Sequence, residues 1–339
     1  YLICIQVMLL IVFCMYITVK RRTEASRSVI KREYLEKVDN KWNRYLLNEE
    51  DKPIDKELIP KDRYEVQVVE NLFLSYLENV NSLTMQEKIV AFSNEYLEVY
   101  YRKHLNSPKW STRMNALYRI YDFQLHTLLD DCRDLENEKA SKEERFQLLK
   151  IYSRLSNEHF LSTLLSKSIN FSEHEYKQLL NKVPNENVER LMERFDELQE
   201  FCKYALIDML GQKRNIDYLP FLESLLLNTN SEVRVKSLKA VYEIGWINTP
   251  EMYIHFVYST IWEERFMVAK LMGLLPLGDT ISYFQILLQD TSWRVYTEAA
   301  KSIATAYGKS GKDMLLEFKG QINDRDVISR INEVLERGV

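Results

Sequence analysis

The stretch "NTNSEVRVKSLKAVYEIG", residues 228–245, has the pattern of a helix that packs inside a repeat. Polar residues precede Val233 and Arg234, and a glycine ends the run. Small or apolar residues follow the arginine at three, six, seven and ten positions, the spacing of one helical face. These residues are Ser237, Ala240, Val241 and Ile244. If the pattern returns at a fixed period, the chain is a stack of repeated helical units.

The pattern does return downstream. Arg265 and Arg294 each stand about 30 residues after the preceding arginine. The positions that follow Arg265 are apolar in the same way, but Lys301 breaks the pattern after Arg294. A weaker final copy has Ile328 in place of the arginine. A short apolar stretch precedes each copy, so the predicted unit is a helical hairpin that buries its apolar face by stacking on its neighbours.

These copies resemble the HEAT repeat family, whose second helix carries the pattern "D-x-x-VR-x-x-A-x-x-ALG". The resemblance covers roughly the last 140 residues. It implies that five residues form a structural ladder between hairpins: Asn230, Arg234, Arg265, Asp290 and Arg294. Asn230 and Asp290 stand four residues before an arginine, where such side chains cap helices. The second copy departs from the family because Ile261 occupies the place of the aspartate.

The composition favours an all-α fold. The 339 residues include only 8 glycines and 7 prolines, fewer than a β-sandwich or an α/β enzyme needs for its turns. The net charge of −4 excludes a chain-wide basic field for nucleic acid. We therefore predict an irregular helical region over residues 63–196, followed by HEAT-like repeats over 197–339. A separate helical bundle is the alternative for the first region.

The first nineteen residues, "YLICIQVMLLIVFCMYITV", contain no charge and predict a transmembrane helix over residues 1–19. As a helix they extend about 28 Å, close to the thickness of a bilayer core. Four basic residues follow and are predicted to contact the membrane surface: Lys20, Arg21, Arg22 and Arg27. The positive-inside rule places the N-terminus outside and the remaining chain in the cytoplasm. The alternatives are a cleaved signal peptide and a buried core helix.

Residues 20–50 have the apolar spacing of an amphipathic juxtamembrane helix. The alternative is a helix that packs on the following domain, with its basic residues acting only as topology signals. Pro53 and Pro60 interrupt the helical pattern and predict a linker over residues 51–62.

No motif for catalysis, phosphate binding or zinc binding occurs in the sequence, so we predict no catalytic, cofactor or metal site. Trp246, Trp262 and Trp293 lie near predicted repeat turns. Tryptophan is enriched at binding hot spots, which makes these three residues candidate partner contacts. The alternative is that they pack between repeats.

Together these features predict a membrane-anchored cytosolic scaffold whose α-solenoid binds a protein partner at the inner membrane face. Tethering raises the effective concentration at the membrane, so modest affinity suffices. The partner is expected to be a membrane enzyme such as a glycosyltransferase, because anchored HEAT-like proteins encoded beside bacterial membrane glycosyltransferases look similar in layout. Neither nucleic acid nor a small-molecule substrate is expected. Two alternatives stay open: a HEAT-like enzyme of the lyase or glycosylase type, and a nucleic-acid-binding solenoid.

Overall fold

The computed structural model describes the backbone of most of the chain. The described residues are 2–47, 53–138, 140–166, 170–322 and 324–337, with side chains left out at 2–5, 7, 26, 27 and 337. Every regular element in these ranges is helical, and they contain no strand. The prediction of an all-α fold is therefore confirmed.

The chain divides into two compact units, residues 1–157 and 158–339. The helices of the first unit are α1 Leu2–Leu47, α2 Arg63–Asn79, α3 Leu83–Phe92, α4 Glu98–Leu105, α5 Trp110–Phe123, α6 Leu129–Glu138 and α7 Lys142–Leu155. The helices that follow are α8 Asn157–Leu165, α9 Glu173–Leu180, α10 Asn185–Glu193, α11 Glu200–Lys213, α12 Leu219–Ser224, α13 Ser231–Ile244, α14 Glu251–Ile254, α15 Trp262–Met272, α16 Leu277–Leu287, α17 Trp293–Gln321 and α18 Arg325–Arg337.

Helix α1 ends inside the first unit. Trp42 is fully buried, and its ring meets the rings of Phe73 and Phe92 edge to face, with 4.8 Å between centroids in both pairs. Aromatic pairs of this geometry add about 0.5–1.5 kcal/mol to the effect of burial. Lys88 donates to the carbonyl of Tyr45, which fixes the last turns of α1 against α3. The C-terminal third of α1 is thus part of the folded core, and the helix continues outward from it.

The outer end of α1 carries the predicted membrane span. Among the residues that the structure describes, no helix is long and apolar enough to cross a membrane. Lys20, Arg21 and Arg22 follow this end directly. The described residues therefore do not support the predicted transmembrane span.

The segment after α1 is short and partly packed. A turn of 3₁₀-helix at Lys56–Leu58 buries the side chain of Leu58, which is 1 % exposed. Lys41 of α1 forms ion pairs with Asp55 and Glu57, at 2.7 Å and 2.6 Å. Residues 53–58 of the predicted linker therefore lie against α1.

In the second unit, the second helices of successive hairpins pack side by side. Helices α11, α13, α15, α17 and α18 each contact the next in that order. Gly211, near the end of α11, lies so close to α13 that an added Cβ atom would stand 2.8 Å from the Cα of Ala240. Small residues at the crossing therefore allow the two backbones to approach closely. The arrangement is all-α and repeat-like.

Helix α17 differs from the other second helices because it contains a reversal. Gly308 has φ 54° and ψ −121°, which interrupts the helix. A Cβ atom on Gly311 would stand 2.1 Å from the carbonyl oxygen of Ile303, although residues eight apart in a straight helix are separated by about 12 Å. The chain therefore folds back at Gly308, and α17 consists of two helical segments.

The structure also changes the alignment of this copy with the others. Helix α13 begins after Asn230 and α17 after Ser292, so Tyr296, not Arg294, corresponds to Arg234. Under this alignment the buried Ala299 and Ile303 take the places of Ser237 and Val241. Lys301, which broke the sequence pattern, no longer falls on the buried face. Aligning the copies on their arginines alone was thus wrong by two residues here.

Candidate protein-interaction surface

Arg234 connects two successive hairpins of the second unit. Its Nε donates to Glu264 of α15 at 2.7 Å, and its Nη1 donates to the carbonyls of Asn228 and Thr229 at 2.8 Å and 3.0 Å. The Glu264 side chain is 3 % exposed and the Arg234 side chain 19 %. Asn230 caps α13 by accepting from the backbone N–H of Glu232. The guanidinium thus joins the turn of its own hairpin to the start of the next second helix.

Arg265 repeats this arrangement one hairpin later. Its Nε and Nη2 both contact the carboxylate of Asp290, and its Nη1 donates to the carbonyl of Ser259 at 2.7 Å. The hydrogen bond to Asp290 raises the pKa of Arg265 above its already high ordinary value. Asp290 does not cap α17, because it lies two residues before the cap. The hydroxyl of Ser259 donates to Glu264 and accepts from the N–H of Ile261, in the turn before α15.

The first unit contains the same contact, which the sequence pattern did not reveal. Arg113 of α5 donates from Nε to Glu144 of α7 at 2.7 Å and from Nη1 to the carbonyls of Ser107 and Pro108. Glu144 is fully buried. Arg113 stands four residues after the cap of its helix, as Arg234 does. Glu144 stands three residues after the cap of the next second helix, as Glu264 does. Both acids stand at the third helical position, where acids are common in this chain, so the position alone does not identify Glu144 and Glu264.

Arg294 lies outside this set of inter-helix contacts. Its guanidinium carbon stands 4.7 Å from the ring centroid of Trp262 and 5.6 Å from that of Trp293. Arg330 of α18 stands 5.8 Å from the Trp293 ring. We call these four residues the tryptophan–arginine cluster. Trp293 is 54 % exposed and Arg294 is also exposed, so the cluster faces solvent.

The third tryptophan predicted as a partner contact lies elsewhere. Trp246 follows the C-terminal end of α13 and is 57 % exposed, whereas Trp262 and Trp293 begin α15 and α17. The second helices run in the same direction, because the N-terminal residues of one contact those of the next. Trp246 is therefore at the opposite end of the helices from the tryptophan–arginine cluster.

An open cavity of about 600 Å³ adjoins the cluster. Trp293 and Tyr296 line it, together with Asp290, Asp324 and Asp326. The Asp290 carboxylate is paired with Arg265, and Asp324 accepts from backbone N–H groups at the start of α18. None of the lining residues is basic. Trp293 therefore separates a positively charged surface from a negatively charged cavity.

Four charged side chains connect α9, α11 and α13. Lys177 pairs with Glu173 at 2.7 Å and with Asp208, while Lys236 pairs with Glu173 at 2.9 Å and lies 3.4 Å from Asp208. We call this group the charge network. Burial raises the pKa of Glu173, but the hydrogen bonds and charges of the two lysines outweigh burial and lower it overall. Basic residues on these second helices are thus largely neutralised by the protein itself.

The apolar end of α1 is exposed over residues 8–16. Met8 and Phe13 are 68 % and 61 % exposed, and the hydroxyl of Thr18 is satisfied by the carbonyl of Cys14 at 2.8 Å. Of the predicted membrane-surface contacts, Lys20, Arg21 and Arg22 are exposed directly after this segment. The side chain of Arg27 lies outside the described residues.

Within the described part of the chain, no group of three or more His, Cys, Asp or Glu side chains is placed to hold a metal ion. The described cysteines are free thiols, with Cys132 and Cys202 buried and Cys14 exposed.

Comparison with known proteins does not place the chain in a family. No family profile and no curated protein matches the sequence. Among solved structures, the chain is similar to an engineered protein of the Northeast Structural Genomics Consortium, with 13 % identity, 83 % of this chain and 82 % of that chain covered, and a TM-score of 0.32.

Proposed function

We propose that this chain is a membrane-attached scaffold on which a HEAT-like α-solenoid binds a protein partner, for example a membrane enzyme. The observation that carries the proposal is the construction of α1. The N-terminal end of this one continuous helix is apolar and exposed. Its C-terminal third packs in the first unit, where Val38 and Trp42 are fully buried. A folded protein in water rarely leaves so many large apolar side chains exposed together.

The charges beside the apolar end support attachment to the cytoplasmic face. Lys20, Arg21 and Arg22 stand at the position where a helix leaves the lipid. Anionic lipid on that face attracts basic residues by about 1 kcal/mol each. The bulk of the protein then lies in the cytoplasm, at the membrane surface.

The second unit supports a binding role for a protein partner. Exposed tryptophan and arginine are the residues most enriched at binding hot spots, and the tryptophan–arginine cluster presents both. Binding of nucleic acid is less well supported, because Arg234, Lys236 and Arg265 are paired with carboxylates of the same chain. A repeat-like array with open edges between hairpins typically provides an extended binding surface.

The test is co-purification from native membranes in mild detergent. Three forms are compared: the full chain, the chain lacking residues 1–22, and a full chain with Trp262 and Trp293 changed to alanine. We expect a membrane protein to co-purify in a fixed ratio with the full chain, and less of it with either variant. If no protein co-purifies with the full chain in a fixed ratio, the scaffold proposal is wrong.

A further inference from the structure

We propose that the tryptophan–arginine cluster binds an isolated carboxylate side chain on the partner protein, and that Arg294 is the residue that holds it. This inference rests on the proposed function, because it names the chemistry of the partner segment. The argument starts from the position of Arg294 in its helix.

Arg294 does not take the structural role of Arg113, Arg234 and Arg265. Arg113 and Arg234 each bond a carboxylate of the next second helix, and Arg265 bonds Asp290 in the turn before it. All three also bond a carbonyl of their own turn. The cap at Ser292 places Tyr296 at the corresponding position of α17. Arg294 is therefore two residues too early to reach its own turn in the same way.

The next helix also offers Arg294 no acceptor of the usual kind. In α15 the acceptor, Glu264, is three residues after the helix cap. In α18, which Asp324 caps, the residue at that position is the apolar Val327. In α17 the acceptor, Asp290, is two residues before the cap, and the equivalent residue there is Ile322. Among the described residues, Arg294 forms no hydrogen bond or ion pair. The residue is exposed.

The tryptophan rings hold this guanidinium in place. A guanidinium that stacks on aromatic rings loses less conformational freedom when it binds a carboxylate, and it presents a planar fork that matches both carboxylate oxygens. Arg330, on the same ring of Trp293, adds positive charge, although it is partly neutralised by Glu333. The exposed ring of Trp293 provides apolar contact for residues beside the carboxylate.

The neighbouring cavity determines which kind of anion fits. Asp324 and Asp326 line that cavity together with Trp293, the same ring that Arg294 contacts. A polyanion such as nucleic acid or polyphosphate would extend its charge over these aspartates and be repelled. A single aspartate or glutamate side chain in a protein segment avoids them, which is why we commit to a protein carboxylate.

In the first test, the full chain in mild detergent is titrated with synthetic peptides, and binding is monitored by the change in tryptophan fluorescence. The probes are acetyl-Gly-Phe-Asp-Gly-amide, the same peptide with asparagine in place of aspartate, and an oligonucleotide of ten thymidines. We expect the aspartate peptide to bind about two- to fivefold more tightly than the asparagine peptide, the range for an exposed ion pair. Equal affinity for the two peptides, or tighter binding of the oligonucleotide, would overturn the proposal.

Variants then assign the effect to Arg294. Arg294→Gln should remove the preference for aspartate, and Arg294→Glu should reverse it toward a peptide with lysine at that place. Trp246→Ala, at the opposite end of the helices, is the matched control and should leave both affinities unchanged. Arg294 is exposed and unpaired among the described residues, so circular dichroism should show these variants folded.

The outcomes separate this inference from the proposed function. If a partner co-purifies equally with wild type and with folded Arg294→Gln, the scaffold proposal stands and the carboxylate proposal is wrong. If no partner co-purifies but the aspartate peptide binds through Arg294, the scaffold proposal is wrong and the carboxylate site stands.

Discussion

Removing one member of the Arg234–Glu264 pair should destabilise the second unit strongly, whereas removing both should not. Loss of one partner of a buried ion pair typically costs about 3–5 kcal/mol. Arg234 is 19 % exposed and keeps its bonds to the carbonyls of Asn228 and Thr229, so water and carbonyls compensate in part. We therefore expect Glu264→Ala to lower the local stability by about 2–3 kcal/mol.

The converse single variant, Arg234→Met, keeps the apolar stem but leaves Glu264 without its positive partner. The carboxylate, 3 % exposed, then retains only the hydroxyl of Ser259 among its described hydrogen-bond donors, and we expect a similar loss of about 2–3 kcal/mol. Replacing both residues, as Arg234→Met with Glu264→Leu, removes the buried charges together. This double variant should fall within about 1 kcal/mol of wild type.

Native-state hydrogen exchange measures these effects without assuming that a chain of two units unfolds in one step. The amides of α13 and α15 report the free energy of local opening for wild type, both single variants and the double variant. The control is the pair Lys239–Glu243 within α13, at 3.6 Å, whose lysine is exposed and whose glutamate is half-buried. Its coupling should not exceed about 0.5 kcal/mol. If the coupling energy between Arg234 and Glu264 is as small as this, the pair does not stabilise the contact between α13 and α15, and our reasoning is refuted.

Three further predictions concern packing, titration and thiol chemistry. Gly211→Val should lower stability by about 1–3 kcal/mol because α13 leaves no room for its side chain, whereas Gly278→Ala, in open space, should be nearly neutral in urea denaturation. The pKa of Glu173 is lowered in the fold, so the stability it contributes is present above its unfolded pKa of about 4.3 and is lost as the pH falls through the lower folded value. Thermal denaturation between pH 6 and pH 3 should therefore show a smaller loss of stability in Glu173→Gln than in wild type. Burial raises the pKa of Cys132 and Cys202 to about 12, so mass spectrometry should find both unmodified by maleimide at pH 7.5 until denaturant is added, and early labelling of either would contradict its buried position.

The sequence predicted helices well because their determinants are local. Few glycines and prolines, apolar residues at helical spacing, and serine with glutamate three residues later are all visible without a structure. The capping boxes at Ser141 and Ser172 are of this kind, and both form. The pattern does not always mark the cap: Thr84 is followed by Glu87 in α3, yet the cap of that helix is Ser82, two residues earlier. A polar residue near a helix start therefore identifies the start only to within a turn.

What the sequence could not give was the pairing between hairpins. Glu264 and Glu144 look like ordinary acids in a first helical turn, and only packing shows that they are buried and bonded to an arginine of the preceding second helix. Arg294 is exposed because α17 begins two residues later, relative to its arginine, than α13 does. Both results come from tertiary contacts that no local pattern records.

The membrane span shows a different limit. Charge-free composition suggested a complete crossing, yet no described helix is long and apolar enough to cross a membrane. The described side chains of residues 8–16 are exposed, which supports attachment to lipid as a proposal.

Vesicle flotation tests the central claim, that the outer end of α1 holds this protein on an anionic membrane. The full chain, the chain lacking residues 1–22, and a full chain with Leu10 and Phe13 changed to glutamate are each mixed with vesicles of neutral lipid or of neutral lipid with phosphatidylserine. We predict that only the full chain floats, and that it does so more completely with phosphatidylserine because Lys20 and its two neighbours attract the anionic headgroups. Equal flotation of all three forms, or none by the full chain, would contradict the claim.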